Sequence, residues 1–432
     1  MFEKYKNQAA FVAKAKFLLI DFNGEYIDQG NNNIIIEKQY KNIYCLSTRS
    51  RAGDKFPVST ETLNSPEFWS IFLEATDKTQ KPFLRRALTN SYVPKKIETE
   101  AGLKGLIADL IFFVTTKDDR NIEKGIVSTF LTELGDCLNG NETIAKLADE
   151  YRENLHFHGK GGAYYYQNGP DQIFSSAANF RSDFIESRTN KLVIPVEKLQ
   201  PLDKVRLRII LQYFDDVFRG FSNKDHLAPL IKRLDNRIDD LEKVLEIGGI
   251  LGQKNFTIVS LKDVSIHLRK ILPLLLCKRL YDDKKAEDDG ETYLNIIIDE
   301  AHNILSEDST REVEEWKDYR LETFEEIIKE GRKFGVFLTL ASQRPADISP
   351  TIISQLHNYF LHRLINDQDI KAVEKTISYL DKVSFEYLPI LPTGTCIFAG
   401  LLANVPVVID IEKMEPEFEP RNKTRTLADK WR

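Results

Sequence analysis

The β-branched run Ile296-Ile297-Ile298 stops abruptly on two carboxylates, Asp299 and Glu300. No other feature of the chain narrows its fold as far. An apolar run without alternation reads as a strand buried on both faces, and such strands belong to parallel sheets covered by helices. Ligands of these sheets bind beyond the carboxyl ends of the strands. Two acids at that position suit the hydrolysis of a nucleoside triphosphate. One holds Mg²⁺ through water, and the other orients the attacking water. The usual companion of such a pair is a phosphate-cradling Gly-x-x-x-x-Gly-Lys-[Ser/Thr], and it occurs nowhere in the 432 residues.

The same texture recurs on either side. Lys16–Phe22 reads as a buried strand stopped by Asn23-Gly24, and Phe256–Leu261 and Gly335–Ala341 read as further strands. Helical patterns separate them at His267–Tyr281 and Glu314–Lys333, while Gly394–Gly400 and Val405–Ile411 read as a closing pair of strands. Strands alternating with helices predict a parallel sheet with right-handed crossovers. Ser65-Pro66-Glu67 predicts a helix start, with a capping hydroxyl, proline at the first helical position and an acid in the first turn. From about 100 to 254 the spacing is mostly helical, with one short strand expected at Lys191–Val196 and a helical hairpin arm at Leu230–Leu245. The expected organisation is therefore a core at 1–99 and 255–411, an insertion at 100–254, and a charged tail at 412–432 that is mobile or grasps a partner.

Composition excludes several classes. Sixty-six acidic residues against 60 basic ones give a formal charge of −6, so no global signature of nucleic-acid binding is present. A local basic surface, such as the lining of a ring, is compatible with that sum. Cys45, Cys137, Cys277 and Cys396 are scattered without a Cys-x-x-Cys pair, as expected of reduced thiols in a cytoplasmic protein. No apolar run reaches the length of a membrane span. The pair His156-Phe157-His158 lacks the further ligands a transition metal needs. The glycine-rich, tyrosine-bearing stretch His156–Gly169 reads as a packed surface loop, with base stacking the alternative.

Two more segments add chemistry to the acid pair. The strand at Gly335–Ala341 ends in Ser342-Gln343-Arg344-Pro345. An amide at that tip can touch a γ-phosphate or the attacking water and so act as a sensor; the plain alternative is a turn punctuated by Pro345. Ahead of it lies Glu330-Gly331-Arg332-Lys333-Phe334-Gly335. Basic residues there complement a helix dipole, or Arg332 reaches the γ-phosphate of a neighbouring subunit as an arginine finger.

The order Asp299-Glu300-Ala301-His302-Asn303, Glu330–Gly335, Ala341–Pro345, Arg363-Leu364-Ile365-Asn366-Asp367 and Leu391-Pro392-Thr393-Gly394 resembles the HerA branch of the HerA/FtsK ATPases. Asp21-Phe22-Asn23-Gly24-Glu25-Tyr26 is similar to that family's Asp-x-x-Gly-Glu-Tyr, and Glu74–Leu88 resembles its helical segment. The resemblance implies an α/β, RecA-like P-loop NTPase core with a parallel-rich sheet, assembled as a homo-hexamer that binds ATP and Mg²⁺. By resemblance Asp299 holds Mg²⁺ through water, Glu300 polarises water, Gln343 senses the γ-phosphate and Arg332 is the finger acting in trans. Asp21 and Glu25 border the nucleotide, and Arg363 contacts nucleotide or a neighbouring subunit or forms a structural ion pair.

The chain departs from the family pattern at the phosphate loop. Gly159-Lys160-Gly161-Gly162 lacks a hydroxyl after the lysine, and Gly249–Asn255 lacks the Gly-Lys pair. Two expectations follow: an N-terminally incomplete version of a full ATPase, or a degenerate ring subunit. The functions implied are a motor that translocates or unwinds double-stranded DNA with a nuclease, an antiphage-defence scaffold that assembles a nuclease or a sirtuin-like NADase, and a non-catalytic ring subunit.

Overall fold

The computed structural model describes residues 2–28, 33–117, 125–159, 162–287, 290–307, 314–378 and 380–420. The chain forms two compact units, one from residues 1–58 and 243–432 and the other from 59–242. The first is α/β and is built on β1 (Ala15–Asp21), β2 (Lys41–Ser47), β3 (Phe256–Asp263), β4 (Tyr293–Ile298) and β5 (Val336–Leu340). These five make one sheet in the order β5-β4-β1-β3-β2, parallel throughout, as the apolar runs predict. Helix Ile266–Glu287 links β3 to β4, and helices His302–Leu305 and Glu314–Glu330 link β4 to β5. Leu18, Leu19 and Ile20 of β1 and Ile296 and Ile298 of β4 are buried, which explains their lack of polar alternation.

A second sheet in this unit is antiparallel, from β6 (Asn358–Leu361), β7 (Thr395–Gly400) and β8 (Val407–Asp410). The closing pair β7–β8 was legible in the sequence; its partner β6 was not. The tail expected to be mobile is partly docked. The Ile35 amide donates to the Phe418 carbonyl at 2.9 Å, and the Asn33 side chain donates to Glu417 at 2.7 Å. Residues 421–432 of the tail and Lys160 and Gly161 of the rejected phosphate-loop candidate lie outside the described residues.

The second unit is mostly helical, and its long helices run over Glu100–Thr116, Ile126–Cys137, Glu142–Asn154, Pro201–Arg219 and Lys224–Val244. Its limits differ from the expected 100–254. The helices Pro66–Phe72 and Gln80–Thr89, assigned to the core from sequence, belong here. Arg86 pairs with buried Asp216 at 2.6 Å, and Arg237 with Glu74 at 3.2 Å, contacts that no local pattern encodes. The start at Ser65 is as predicted: its hydroxyl accepts the Phe68 amide at 3.2 Å.

Three further expectations are corrected. The arm at Leu230–Leu245 is part of a single helix, Lys224–Val244, whose Leu230, Leu234, Ile238 and Leu241 are buried. Residues 191–196 alternate buried and exposed as a strand would, yet no ladder forms. The Ile194 amide donates to the Glu100 carboxylate at 2.9 Å, and the Val193 amide to the Thr143 hydroxyl at 3.1 Å. Side chains replace the strand neighbour. The segment read as a loop at His156–Gly169 lies instead within a three-stranded antiparallel sheet, Leu155–His158, Ala163–Asn168 and Asp171–Phe174. Its alternation buries Leu155, Tyr164 and Tyr166.

Candidate active site

The parallel register places Ile20 of β1 opposite Ile298 of β4, and Leu340 of β5 opposite the same Ile298. Asp21, Asp299 and Ala341 therefore leave the sheet together at its carboxyl edge. The Asp299 amide donates to the Ile20 carbonyl at 3.1 Å, and the Ala301 amide to the Ala341 carbonyl at 2.8 Å, so the acid-bearing turn is clamped from both neighbours. Behind it, buried Arg320 donates to the carbonyls of Ile304 and Ser306 and secures the helical turn that follows.

Glu300 adopts φ +48°, the left-handed region that non-glycine residues seldom occupy. Such a conformation costs ~1–3 kcal/mol and persists only where the surroundings enforce it. Glu300 Oε2 is buried with no hydrogen-bond partner among the described residues. His302 Nδ1 lies 3.3 Å from that oxygen, without hydrogen-bond geometry, and 3.2 Å from Ser342 Oγ. An unsatisfied carboxylate oxygen held on a strained backbone is poised to take a proton from a molecule that enters.

Asp21, which the resemblance sets beside the site, is fully buried and builds the adjoining loop. Its Oδ1 accepts the amides of Asn23, Gly24 and Glu25 at 3.1, 2.7 and 3.2 Å, and its Oδ2 accepts the amide of Tyr26 at 3.2 Å. Hydrogen bonds to a charged acceptor contribute ~1.5–3 kcal/mol each. Burial pushes the Asp21 carboxyl above its ordinary range, and the same four amides pull it back. Further along, Asp28 pairs with buried Lys41, whose ammonium also donates to the Ile34 carbonyl.

The loop so built carries Glu25 and Tyr26 to the acids. Tyr26 lies within electrostatic reach of Asp299. Burial, then the charge of Asp299, raises the phenol well above its ordinary range and keeps it a donor. Asp299 is raised chiefly by burial, against the lowering effect of the Glu300 amide, Tyr26 and His302. Glu25 is raised by burial and then by the charge of Asp299. Glu25 thus feels the charges of Asp299, Asp21 and Glu300.

The donor set fits a hard cation held through water. Oxygen ligands dominate, the carboxylates crowd one another, and Glu300 Oε2 is orphaned. It does not fit a cage of direct ligands: among the described residues no three or more His, Cys, Asp or Glu side chains are arranged to hold a metal. His156 and His158 lie against Tyr165 and Phe174, with ring centroids 5.3 and 6.1 Å apart.

The other predicted residues do not join the cluster. Gln343 is exposed one residue beyond Ser342, and Arg363 is exposed beyond β6. Arg332 is exposed in the turn Gly331–Phe334 that precedes β5, whereas the acids follow the strand ends. Five residues of β5 separate the two edges, about 16 Å at the rise of an extended strand. Arg332 stands across the sheet from the acids of its own chain. Sequence reasoning missed Tyr26, His302 and Ser342 as site residues, although all three lie inside motifs it quoted.

No family model matches the chain. The DNA double-strand break repair helicase HerA of Sulfurisphaera tokodaii is 27% identical over 263 residues, which cover 58% of this chain and 50% of that protein. The DNA double-strand break repair helicase HerA of Saccharolobus solfataricus is 32% identical over 153 residues, or 35% of this chain and 28% of the relative. The chain thus matches half of the first relative's length and less of the second's. Among solved structures, VirB4 of Thermoanaerobacter pseudethanolicus superposes with a TM-score of 0.46 at 12% identity, covering 95% of this chain and 85% of that one. The chain is a relative of the HerA-type ATPases.

Proposed function

We propose that this HerA-type chain carries the hydrolytic half of a ring ATPase that works on DNA with a nuclease or another effector. The observation that carries the reading is Glu300: a strained, half-buried residue whose buried Oε2 has no hydrogen-bond partner among the described residues, beside Asp299 at the carboxyl edge of a parallel sheet. Mg²⁺, when bound near Asp299 through water, supplies positive charge to the β- and γ-phosphates of ATP. Glu300 Oε2 accepts the proton of the attacking water. His302 and Ser342 hold the Glu300 side of the pocket, and Gln343, next in the chain, senses the terminal phosphate.

Arg332 supports the ring. Its distance from the acids of its own chain leaves a neighbour's γ-phosphate as its target. The apolar side chains exposed around the second sheet, including Phe360, Leu402, Val405 and Val408, support an interface with other chains. The names of the relatives favour repair of DNA breaks over defence, and double-stranded DNA over other substrates. The test is ATP hydrolysis by the full-length protein, with and without duplex DNA. DNA-stimulated turnover that disappears in Glu300→Gln is the expected result. Turnover unchanged in Glu300→Gln removes the assignment.

A further inference from the structure

We infer that His302 is the positioning residue for Glu300, and that Ser342 decides whether the imidazole leaves that carboxylate free or closes on it. This rests on the reading of Asp299 and Glu300 as a hydrolytic pair, and it names how that pair is regulated. Two elements converge on one nitrogen. The Ala341 amide donates to the Ile298 carbonyl at 2.9 Å and the Ala301 amide to the Ala341 carbonyl at 2.8 Å, so the chain leaving β5 is locked to the acid-bearing turn. His302 and Ser342 each follow one residue later. There the side chains meet: His302 Nδ1 lies 3.2 Å from Ser342 Oγ and 3.3 Å from Glu300 Oε2. Little water competes, since the His302 and Glu300 side chains are only 18% and 14% exposed.

The donors and acceptors leave one arrangement. A bare Nδ1 would set its lone pair against a carboxylate oxygen 3.3 Å away, and the two would repel. Nδ1 therefore carries a proton, and two acceptors compete for it. Glu300 Oε2 has no hydrogen-bond partner among the described residues, so Nδ1–H points to Ser342 Oγ. That oxygen is itself anchored, because it also accepts the Arg344 amide at 3.0 Å, a bond that closes a turn around Gln343. The carboxylate is the stronger acceptor of the two, since hydrogen bonds to a charged group are the stronger ones. Only the placement of Ser342 keeps the proton off it. The Glu300 backbone is not free to swing away, for its carbonyl accepts the amide and the side chain of Asn303, both at 3.0 Å. With Ser342 in place, Oε2 is open to a proton from water. With Ser342 displaced, Nδ1–H turns to Oε2, occupies the lone pair the reaction needs and stops the base. The segment that carries Gln343 thereby governs the working acid of β4 through one imidazole.

The test is a double-mutant cycle in the full-length protein: Ser342→Ala, His302→Ala and the two together, read as kcat and KM for ATP. Ser342→Ala should lower kcat by about tenfold, the weight of one hydrogen bond to a charged group, with KM within about twofold of wild type. Adding His302→Ala should raise kcat again by about threefold or more, because the proton that closes on Glu300 is gone. A double variant no faster than Ser342→Ala overturns the proposal, and so does Ser342→Ala with unchanged kcat. A loss of packing alone gives no such recovery. The second readout is ¹⁵N NMR of the imidazole, assigned with His302→Gln. A protonated Nδ1 whose resonance moves in Ser342→Ala is expected; a bare Nδ1 in the wild-type protein overturns the proposal without any kinetics. If the wild-type protein hydrolyses no ATP and Glu300→Gln changes nothing, the hydrolytic reading fails. The Nδ1 resonance then decides the junction alone: moved by Ser342→Ala, it upholds the link between His302 and the segment; unmoved, it ends it.

Discussion

The two edges of the parallel sheet are built to opposite specifications. At the carboxyl edge, Asp21, Asp299 and Glu300 are buried or half-buried, and their surroundings are bonded to one another. The loop amides fix Asp21, the Ile20 carbonyl holds the Asp299 amide, and the chain is strained at Glu300. At the amino edge, Arg332 stands exposed in a short turn closed by Gly335 at φ +72°. One edge is organised before any ligand arrives. The other offers a charge that gains a partner only from another molecule. In the ring proposed above the two edges would meet, and each subunit would complete its neighbour.

The largest expected effect breaks the exposed edge. Arg332→Ala should lower turnover of the assembled protein by about 10³-fold or more. It should leave Tm almost unchanged, because the side chain is exposed. Mixing it with Glu300→Gln subunits should restore part of the activity, since each variant keeps what the other lacks; no recovery at any mixing ratio would place the finger elsewhere. Next comes the ordered edge. Glu300→Gln should cost about 10²–10⁴-fold in turnover, the usual share of a positioned base, with Tm preserved.

Asp21→Ala should act through stability. Four amides lose a buried charged acceptor, at a cost of ~3 kcal/mol or more read by denaturant unfolding of the first unit. If the midpoint does not move, Asp21 is not the organiser of the loop. At the opposite edge Gly335→Ala should cost ~1–2 kcal/mol, because an alanine at that φ is strained and its Cβ would approach the Thr292 carbonyl oxygen to 2.6 Å.

The smallest effect concerns pH. The Asp299 carboxyl is raised in the folded protein, so its ionisation opposes folding. Its contribution is present in full below the ordinary carboxyl range and is lost as pH rises through the folded value. Metal-free Asp299→Asn should therefore melt higher than wild type at neutral pH, and the advantage should vanish on acidification below pH ~4. An advantage that persists in acid would mean the substitution acts by packing.

What was legible in the sequence was whatever local rules decide. The Ile296–Ile298 run, the β1 run and the Ser65-Pro66 cap each carry their information within a few residues, because burial on both faces and an unpaired first-turn amide leave a direct trace in residue type. The acid pair was legible for the same reason, as the point where such a run ends. The alternation at 191–196 and the hairpin sheet at 155–174 mark the limit. The same period of two is satisfied by side-chain acceptors in the first and by a ladder in the second, and only distant partners decide which. By itself the sequence determined a parallel α/β sheet and the identity of its terminal acids. The tertiary structure decided that the acid-bearing turn is clamped between the ends of β1 and β5 and that Arg332 stands across the sheet from the acids of its own chain. Both depend on register between strands far apart in the chain, and hydrogen bonds formed across that separation have no signature in any one segment.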